Sequence, residues 1–302
     1  MTVTPQDLPP ELVCPGCLGQ LTARGAHGPQ IGPQIGPQIG PLPSPLPSLA
    51  CDTCERVYSA EPGYLDFIGR ESGLSGARGL GPRLMHSRVL ASVYERLWRP
   101  LFVALASGGR PNYAGELEHV FAALAPAEGG VIADLSCGPG FTGRRLAASH
   151  RFARVYGVDW SVPMLRRALA AKDPALPLLR ADVSHLPFAR ESLAGIHAGA
   201  ALHVWPDPLS AIAEAARVLR PGGVLVASTF VHLPGGPLRP IAGTFQAISS
   251  ARVFEVEELA GMCRAHGLLD FNPERRGALI MFSATRGHAV TPMHATGKPS
   301  RA

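Results

Sequence analysis

The stretch VIADLSCGPGFTGRRLA, residues 131–147, decides the fold class of this chain. Its short apolar run predicts a buried strand that ends at Asp134, and a helical pattern begins a few residues later. Ser136, Gly138 and Gly140 line the turn between them. Small residues let a ligand approach the backbone closely, and free N–H groups at a helix start face that ligand. The stretch predicts a strand–turn–helix unit that binds a nucleotide-like ligand, with a tight turn and no ligand as the alternative.

Strand and helix patterns alternate strictly after this unit. Strands are predicted at 153–159, LPLLRADV, AGIHAGAAL and 224–230, and helices at 141–150, 161–171 and 207–219. Ser161 is a suitable N-cap for the second of these helices. A further helix at 255–267 and the strand ALIMFSATR complete the pattern. Such alternation indicates a parallel sheet with helices on both faces.

Two acidic residues follow the next two strands. Asp159, in VYGVDWS, is placed to accept hydrogen bonds from both hydroxyls of a ribose, although an acid there can also be an ordinary helix cap. Trp160 beside it could lie against an adenine or cover the sheet edge. In RADVSHLPF, Asp182 could accept from an adenine amine while Val183 offers its backbone N–H to the ring. These positions predict an adenosine site.

The turn alone does not identify the ligand, because Gly138, Gly140 and Gly143 also satisfy the G-x-G-x-x-G spacing of nicotinamide-binding domains. After DLSCGPG come DVSHLPF and GIHAGAALHVWPDPLSAIAEAARVLRPGGVLVAST. This ordered set resembles the class I S-adenosylmethionine-dependent methyltransferases of the ubiquinone/menaquinone-methyltransferase type. The resemblance covers residues 113–230 and, more loosely, the chain to residue 286. It implies an α/β, Rossmann-like fold with a seven-stranded, mostly parallel sheet, and it departs from the family pattern at Ser136, where a glycine is expected.

The resemblance also implies roles for individual residues. Asp134 would lie near the amino group of S-adenosylmethionine, Asp159 at its ribose hydroxyls and Asp182 at its adenine amine. Gly199 and Ala200 would border the sulfonium end. The full set of implied cofactor-binding residues is Asp134, Ser136, Gly138, Gly140, Asp159, Trp160, Asp182, Val183, Gly199 and Ala200.

Methyl transfer depends mainly on positioning, which can supply about 7–11 kcal/mol, and on a general base when the acceptor must lose a proton. His203, just past a predicted strand in AALHVWPD, is the candidate base or substrate contact. A structural histidine bonded to a carbonyl is the alternative. His197 falls within the strand and is predicted to be a core residue. Trp205 would either wall the acceptor pocket or serve packing.

A second group of residues lies near the N-terminus. Cys14 and Cys17 form one C-x-x-C pair, and Cys51 and Cys54 form another. Two thiolate pairs give the tetrahedral sulfur set that suits structural zinc, with a redox or metal-free remnant as the alternative. Residues 1–70 are therefore predicted to be a small zinc-ribbon-like module. Its GPQI and PLPS repeats form a low-complexity insertion at 28–49 that cannot bury apolar surface.

The two C-x-x-C pairs, YLDF, SVYERLWRP, HAGAALHVWPDP and RRGALIMFSAT resemble a group of plant and algal methyltransferases of the plastid. That resemblance implies a chloroplast location, including the plastoglobule. No transit-peptide pattern is visible at the start of the sequence, so a cytoplasmic location is the alternative. The remaining predicted segments are a helical linker or lid at 71–112, the methyltransferase domain at 113–286 and a disordered tail at 287–302.

Composition narrows the partners. The chain has 302 residues, 46% of them hydrophobic, which excludes a mainly disordered protein, and no apolar run long enough to span a membrane. We expect a small-molecule acceptor, lipophilic or quinone-like, with peripheral lipid association as an option. The net charge of +5 leaves an RNA acceptor as an alternative, with the zinc ribbon as the RNA-binding module. A nicotinamide-dependent oxidoreductase and a cofactor-binding module without catalysis are the other classes.

Overall fold

The computed structural model describes residues 8–24, 48–68, 113–171, 176–232 and 252–288. Most of the predicted insertion, the predicted linker or lid at 71–112 and nearly all of the predicted tail lie outside these residues. The insertion was predicted to end at 49, but a strand already begins at Ser48.

The strands and helices alternate along the chain as the sequence indicates. In the described residues before position 113, the strands are β1 (Leu21–Arg24), β2 (Ser48–Cys51), β3 (Val57–Glu61) and β4 (Tyr64–Asp66). The later strands are β5 (Val131–Leu135), β6 (Arg154–Asp159), β7 (Leu178–Arg180), β8 (Leu193–Ala198), β9 (Leu219–Phe230), β10 (Leu268–Arg276) and β11 (Leu279–Arg286). The helices are α1 (Tyr113–Ala123), α2 (Phe141–Ala148), α3 (Val162–Ala170), α4 (Pro208–Val218) and α5 (Val256–Ala265).

All eleven strands belong to one sheet, in the order β1-β2-β3-β4-β7-β6-β5-β8-β9-β11-β10. Neighbours from β4 to β9 are parallel, and β11 is antiparallel to both β9 and β10. The five strands from β7 to β9 have the 3-2-1-4-5 order of a doubly wound sheet. An antiparallel hairpin stands where a nicotinamide-binding fold has its sixth parallel strand. The α/β, Rossmann-like prediction is confirmed: its seven mostly parallel strands are the seven consecutive strands from β7 to β10, to which β1 to β4 are added at one edge.

The edge strand β10 was missing from the sequence prediction. Its segment LLDFNPERR contains Pro273 and is exposed at most positions, so it shows no clear alternation of apolar residues. Proline is tolerated on an edge strand because one side of the ladder needs no partner. Pairing with β11, not the strand's own pattern, holds this segment extended.

The N-terminal strands β1 to β4 extend the sheet formed by the later strands instead of forming a separate layer. β4 pairs parallel with β7, and the backbone N–H of Val13 donates to the carbonyl of Pro187 at 3.0 Å. Beneath this junction, the Tyr156 hydroxyl donates to Glu11 Oε1 at 2.8 Å, and Arg154 pairs with the same carboxylate. The added strands cover the edge of β7, which would otherwise expose unpaired backbone groups.

Several boundaries differ from the predictions. The strand predicted at 224–230 is longer in the structure, where β9 begins at Leu219 directly after α4 and includes residues 220–223. Ser161 occupies the N-cap position of α3, but its side chain makes no capping hydrogen bond. The backbone N–H of Ser161 is bound instead by the Asp159 carboxylate.

The main hydrophobic core continues from the N-terminal strands into the part of the chain that follows α1. It joins Leu49 and Leu65 to Tyr156, Leu179 and Phe188, all of them buried. Among the described residues, no helix has both the length and the apolar character that crossing a membrane requires.

Candidate functional site

The loop after β5 turns sharply because several of its residues have left-handed backbone angles. Ser136, Gly138 and Gly140 have φ values of 55°, 54° and 78°. A Cβ on Gly138 would meet no heavy atom within 4 Å, so the space above this residue is open. Serine at a left-handed position is strained, and its Oγ accepts a hydrogen bond from Trp205 Nε1 at 2.9 Å. The departure from the expected glycine is thus accompanied by a specific partner.

Asp159, at the end of β6, fixes this loop. Its Oδ2 accepts the backbone N–H of Gly138 at 2.8 Å, and its Oδ1 accepts that of Ser161 at 2.7 Å. The side chain is buried, and burial raises the pKa of the Asp159 carboxyl from 3.8 to about 6, against the lowering effect of the two N–H groups. The nearby Asp134 carboxylate contributes to the increase. A buried acceptor therefore lies directly beside the loop.

Asp134 and His197 form a pair that the sequence did not predict. The two residues are register partners on β5 and β8, and His197 Nδ1 lies 2.7 Å from Asp134 Oδ1. His197 is buried, as expected for a core residue, but it contacts a site carboxylate and not only apolar neighbours. The 3-2-1-4 strand order was the available signal, because it makes β5 and β8 adjacent and brings their carboxyl ends together.

The residues predicted for the adenine lie after β6 and β7. Asp182 is half-buried, and its Oδ1 accepts the backbone N–H of Ser184 at 2.8 Å. Val183 and Trp160 are also half-buried. The carbonyl of Trp160 accepts a hydrogen bond from Arg180 Nε at 3.1 Å.

Arg180 also connects this region to the N-terminal strands. Its guanidinium donates to Asp66 Oδ2, at the end of β4, at 2.8 Å. Both side chains are largely buried, so the pair is shielded from solvent. The segment after β6 is therefore linked through Arg180 to the N-terminal strands.

The residues predicted for the sulfonium end and the acceptor lie after β8. Gly199 and Ala200 are half-buried, and the backbone N–H of Ala200 donates to Ser228 Oγ at 2.7 Å. His203 is buried, with its ring packed edge-on against Phe230 at 4.6 Å between centroids. Burial lowers the pKa of His203 to about 4, so its imidazole is neutral at pH 7.

The four cysteines form a compact cluster beside β1 and β2, at one edge of the sheet. The Sγ atoms of Cys14, Cys17, Cys51 and Cys54 all lie within 4.8 Å of one another. The contacts between Cys14 and Cys54 and between Cys17 and Cys51 are 3.6 and 3.4 Å. Zinc with four sulfur ligands at about 2.3 Å requires sulfur–sulfur separations of about 3.8 Å. A Cβ on Gly19 would lie 3.0 Å from Cys51 Sγ, so the turn beside the cluster leaves little room for a side chain.

The structure thus brings the loop at 136–140, Asp134 and Asp159 together at the carboxyl ends of β5 and β6. Ligands of open α/β sheets bind at this place, where the strand order reverses. The small-residue loop, the acid after the second strand and the terminal antiparallel hairpin define a class I S-adenosylmethionine-dependent methyltransferase.

Comparisons with known proteins agree with this class. A family described as a methyltransferase domain matches residues 133–227. A chloroplastic uncharacterised methyltransferase of Arabidopsis thaliana is 39% identical over 253 residues, 78% of this chain and 70% of the relative. A second from the same plant is 32% identical over 286 residues, 90% of this chain and 77% of the relative. The chain belongs to the same family of class I methyltransferases as these two proteins.

More distant proteins share the methyltransferase part. The demethylmenaquinone methyltransferase of Thermobifida fusca is 32% identical over 161 residues, 52% of this chain and 60% of the relative. Among solved structures, a chain from the complex of a Haloferax volcanii methyltransferase activator with its methyltransferase has a TM-score of 0.52 at 20% identity. That match covers 67% of this chain and 97% of the other, and it reflects the shared fold.

Proposed function

We propose that this protein transfers the methyl group of S-adenosylmethionine to a small, lipophilic, quinone-like acceptor. The observation that carries the cofactor assignment is the bond between Gly138 and Asp159, which holds the small-residue loop and the ribose-binding acid together at 2.8 Å. Similarity to a demethylmenaquinone methyltransferase supports the acceptor class. The proposed methyltransferase domain covers residues 113–286.

The described residues fit this cofactor. Asp159 offers lone pairs beyond the two bonds it already accepts, because each carboxylate oxygen can accept two. The open space above Gly138 leaves the loop backbone accessible to the methionine part. Asp134 brings a second carboxylate, whose Oδ2 is buried without a hydrogen-bond partner among the described residues.

When bound, the cofactor supplies a methyl group already activated on a sulfonium. In the proposal, Asp159 accepts from the ribose hydroxyls, Asp182 from the adenine amine, and the Val183 N–H donates to the ring. Gly199 and Ala200 border the sulfonium, where small side chains leave room for the acceptor. The protein's main contribution is to hold acceptor and methyl together and to exclude water.

His203 remains the proposed proton acceptor, and its chemistry limits what it can contribute. An imidazole with a pKa of about 4 is neutral at pH 7 but is a weak base. If His203 serves as the base, His203→Gln lowers kcat at least 100-fold and removes an ionisation from the pH profile. A loss below 10-fold with an unchanged profile would make it a packing residue against Phe230.

We propose that Cys14, Cys17, Cys51 and Cys54 hold a structural zinc ion. Four thiolates around one metal leave no open coordination position, so this site takes no part in the reaction. The similarity to chloroplastic relatives supports a chloroplast location. Peripheral contact with plastid lipid would give access to a lipophilic acceptor.

The direct test is incubation with methyl-labelled S-adenosylmethionine and a plastid extract, followed by separation of lipid from RNA. We expect label in the lipid fraction, and a loss of at least 10-fold with Asp159→Asn at limiting cofactor. Asp270→Asn, on the exposed far edge of the sheet, is the charge-matched control and retains activity. Transfer of label to RNA, in a reaction that fails at high salt, would overturn the proposed acceptor class. Binding of NAD without binding of S-adenosylmethionine would overturn the cofactor.

A further inference from the structure

The Asp134–His197 pair is buried at the proposed cofactor site, and the proposed reaction gives the histidine no role. Both residues are at most 5% exposed, and the Nδ1–Oδ1 separation is 2.7 Å. Burying a carboxylate and an imidazole costs free energy unless they satisfy one another, so this pair requires an explanation. Its geometry is that of a histidine whose ring is oriented by an acid.

The free edge of the ring faces the end of β8. A Cβ on Gly199 would lie 2.7 Å from His197 Cε1 and 3.0 Å from Nε2. Any side chain at position 199 would therefore displace the imidazole. The Nε2 edge lies beside the half-buried Gly199, where the chain leaves the sheet.

The second oxygen of Asp134 points elsewhere. Its Oδ2 is buried and lies 2.9 Å from where a Cβ on Gly143 would be, beneath the first turn of α2. The positive end of that helix stabilises a negative charge there. The Oδ1 atom of the same carboxylate contacts His197 Nδ1, so Asp134 contacts the end of β8 through this histidine.

We propose that His197 is a cofactor-binding residue whose Nε2 accepts an N–H from the ammonium group of S-adenosylmethionine. The inference rests on the proposed use of that cofactor. The Asp134 carboxylate holds the proton on Nδ1, which leaves the Nε2 lone pair free to accept. The same bond polarises the ring toward a cationic partner. In this proposal, Asp134 on β5 binds the amino group indirectly, through His197 on the neighbouring strand β8.

Three ligands separate this role from a purely structural one. S-adenosylhomocysteine carries both amine and carboxylate, its decarboxylated analogue keeps the amine, and 5′-methylthioadenosine lacks both. For His197→Phe, which keeps the volume of the ring, we expect calorimetry to show at least 10-fold weaker binding of the two amines. Binding of 5′-methylthioadenosine should change less than twofold.

Asp134→Asn is the second variant, in case His197→Phe does not fold. The asparagine amide would donate to Nδ1 and place the proton on Nε2, which then cannot accept, so the same selective loss is expected. His150→Asn, exposed at a positive φ that asparagine tolerates, is the control and should bind all three ligands as the wild type does.

Each other result contradicts the inference. Equal loss for all three ligands would make the pair structural, and no loss would remove the contact. Loss for S-adenosylhomocysteine alone would assign the contact to the carboxylate. A wild-type protein that binds the decarboxylated amine and 5′-methylthioadenosine equally well would overturn the inference while leaving the proposed function intact. Failure of the wild type to bind any of them would overturn the proposed cofactor, and this inference with it.

Discussion

At the carboxyl ends of β5 and β6, the carboxylates proposed to bind the cofactor are held by hydrogen bonds within the protein. At the four-cysteine end, the thiols contact one another, and a metal ion would have to replace those contacts. Asp159 is fixed by Gly138 and Ser161, and Asp134 by His197. The first region is organised by the order of the strands, whereas the second is formed by two short loops that would depend on the proposed zinc ion.

The largest expected effect comes from disrupting the proposed zinc site. Cys51→Ser takes one ligand from the cluster, and structural zinc sites contribute folding free energy directly. We expect loss of bound zinc and of amide protection in β2 to β4, while β5 and β8 remain protected. Hydrogen exchange read by mass spectrometry measures both regions at once.

Cys263→Ala is the control, because Cys263 is a buried thiol in α5, outside the cluster. It should leave zinc content unchanged. Equal loss of protection in β2 and β5 would show that the two regions do not differ in the way described, and that the whole sheet unfolds as one unit.

The second effect concerns pH. The pKa of Asp159 is raised to about 6 in the folded protein from an ordinary value of 3.8. Its contribution to stability is therefore fully present below pH 3.8 and is lost as the pH rises through about 6. Asp159→Asn does not titrate at this position. Relative to this variant, the free energy of unfolding of the wild type should fall by about 1 kcal/mol between pH 5 and pH 7.5. Denaturant unfolding of both proteins without ligand measures this difference.

A constant difference between Asp159→Asn and the wild type over that pH range would contradict the assignment of a raised pKa to this carboxyl. Cofactor binding should respond in the opposite direction. The carboxylate is the better acceptor for ribose hydroxyls, so affinity for S-adenosylhomocysteine should fall as the pH drops below about 6. The ionised Asp159 carboxylate thus lowers the stability of the folded protein at neutral pH, but it is the better acceptor for the proposed bonds to ribose.

Much of the proposed cofactor site was predictable from sequence, because its residues lie at the ends of strands. Asp134, Asp159 and Asp182 follow apolar runs, and parallel strands bring their carboxyl ends to one edge. The bond between Asp134 and His197 was not predictable from either strand alone, since it depends on which strands are adjacent. A histidine inside an apolar run has the same pattern whether it meets a carbonyl, a leucine or a carboxylate.

At the four-cysteine cluster, the sequence predicted the residues that come together but not how the N-terminal strands join the sheet. Spacing alone predicted that the two C-x-x-C pairs would cluster, and they do. That β4 would join the edge of β7 was not predictable, because Tyr64–Asp66 is too short for its pattern to indicate a partner. The buried contacts of Glu11 and of Asp66 became visible only in the structure, since their partners lie far away in sequence.

The third effect joins the two regions. Asp66→Asn keeps the oxygen that accepts the N–H of Ile68 but removes the charge that faces Arg180. Because Arg180 also binds the carbonyl of Trp160, we expect affinity for S-adenosylhomocysteine to fall several-fold. Calorimetry at a temperature well below the melting point measures it.

Asp270→Asn at the opposite, exposed edge is again the matched control. If Asp66→Asn lowers thermal stability but leaves affinity unchanged, the N-terminal strands only support the sheet. If affinity falls, the N-terminal strands and the proposed cofactor site are coupled through Arg180. The two regions would then differ in how they are held together but act together in binding.

The smallest effect is expected at Ser136, where the strain of the loop and its compensation are in balance. Ser136→Gly removes the hydrogen bond from Trp205, worth about 1 kcal/mol, and relieves a left-handed backbone angle at a similar cost. The net change in unfolding free energy should therefore be within about 1 kcal/mol of zero. Ser136→Ala loses the bond and keeps the strain, so it should be less stable than Ser136→Gly by about 1 kcal/mol. If alanine and glycine prove equal in denaturant unfolding, the positive φ carries no strain, and Trp205 alone explains the serine.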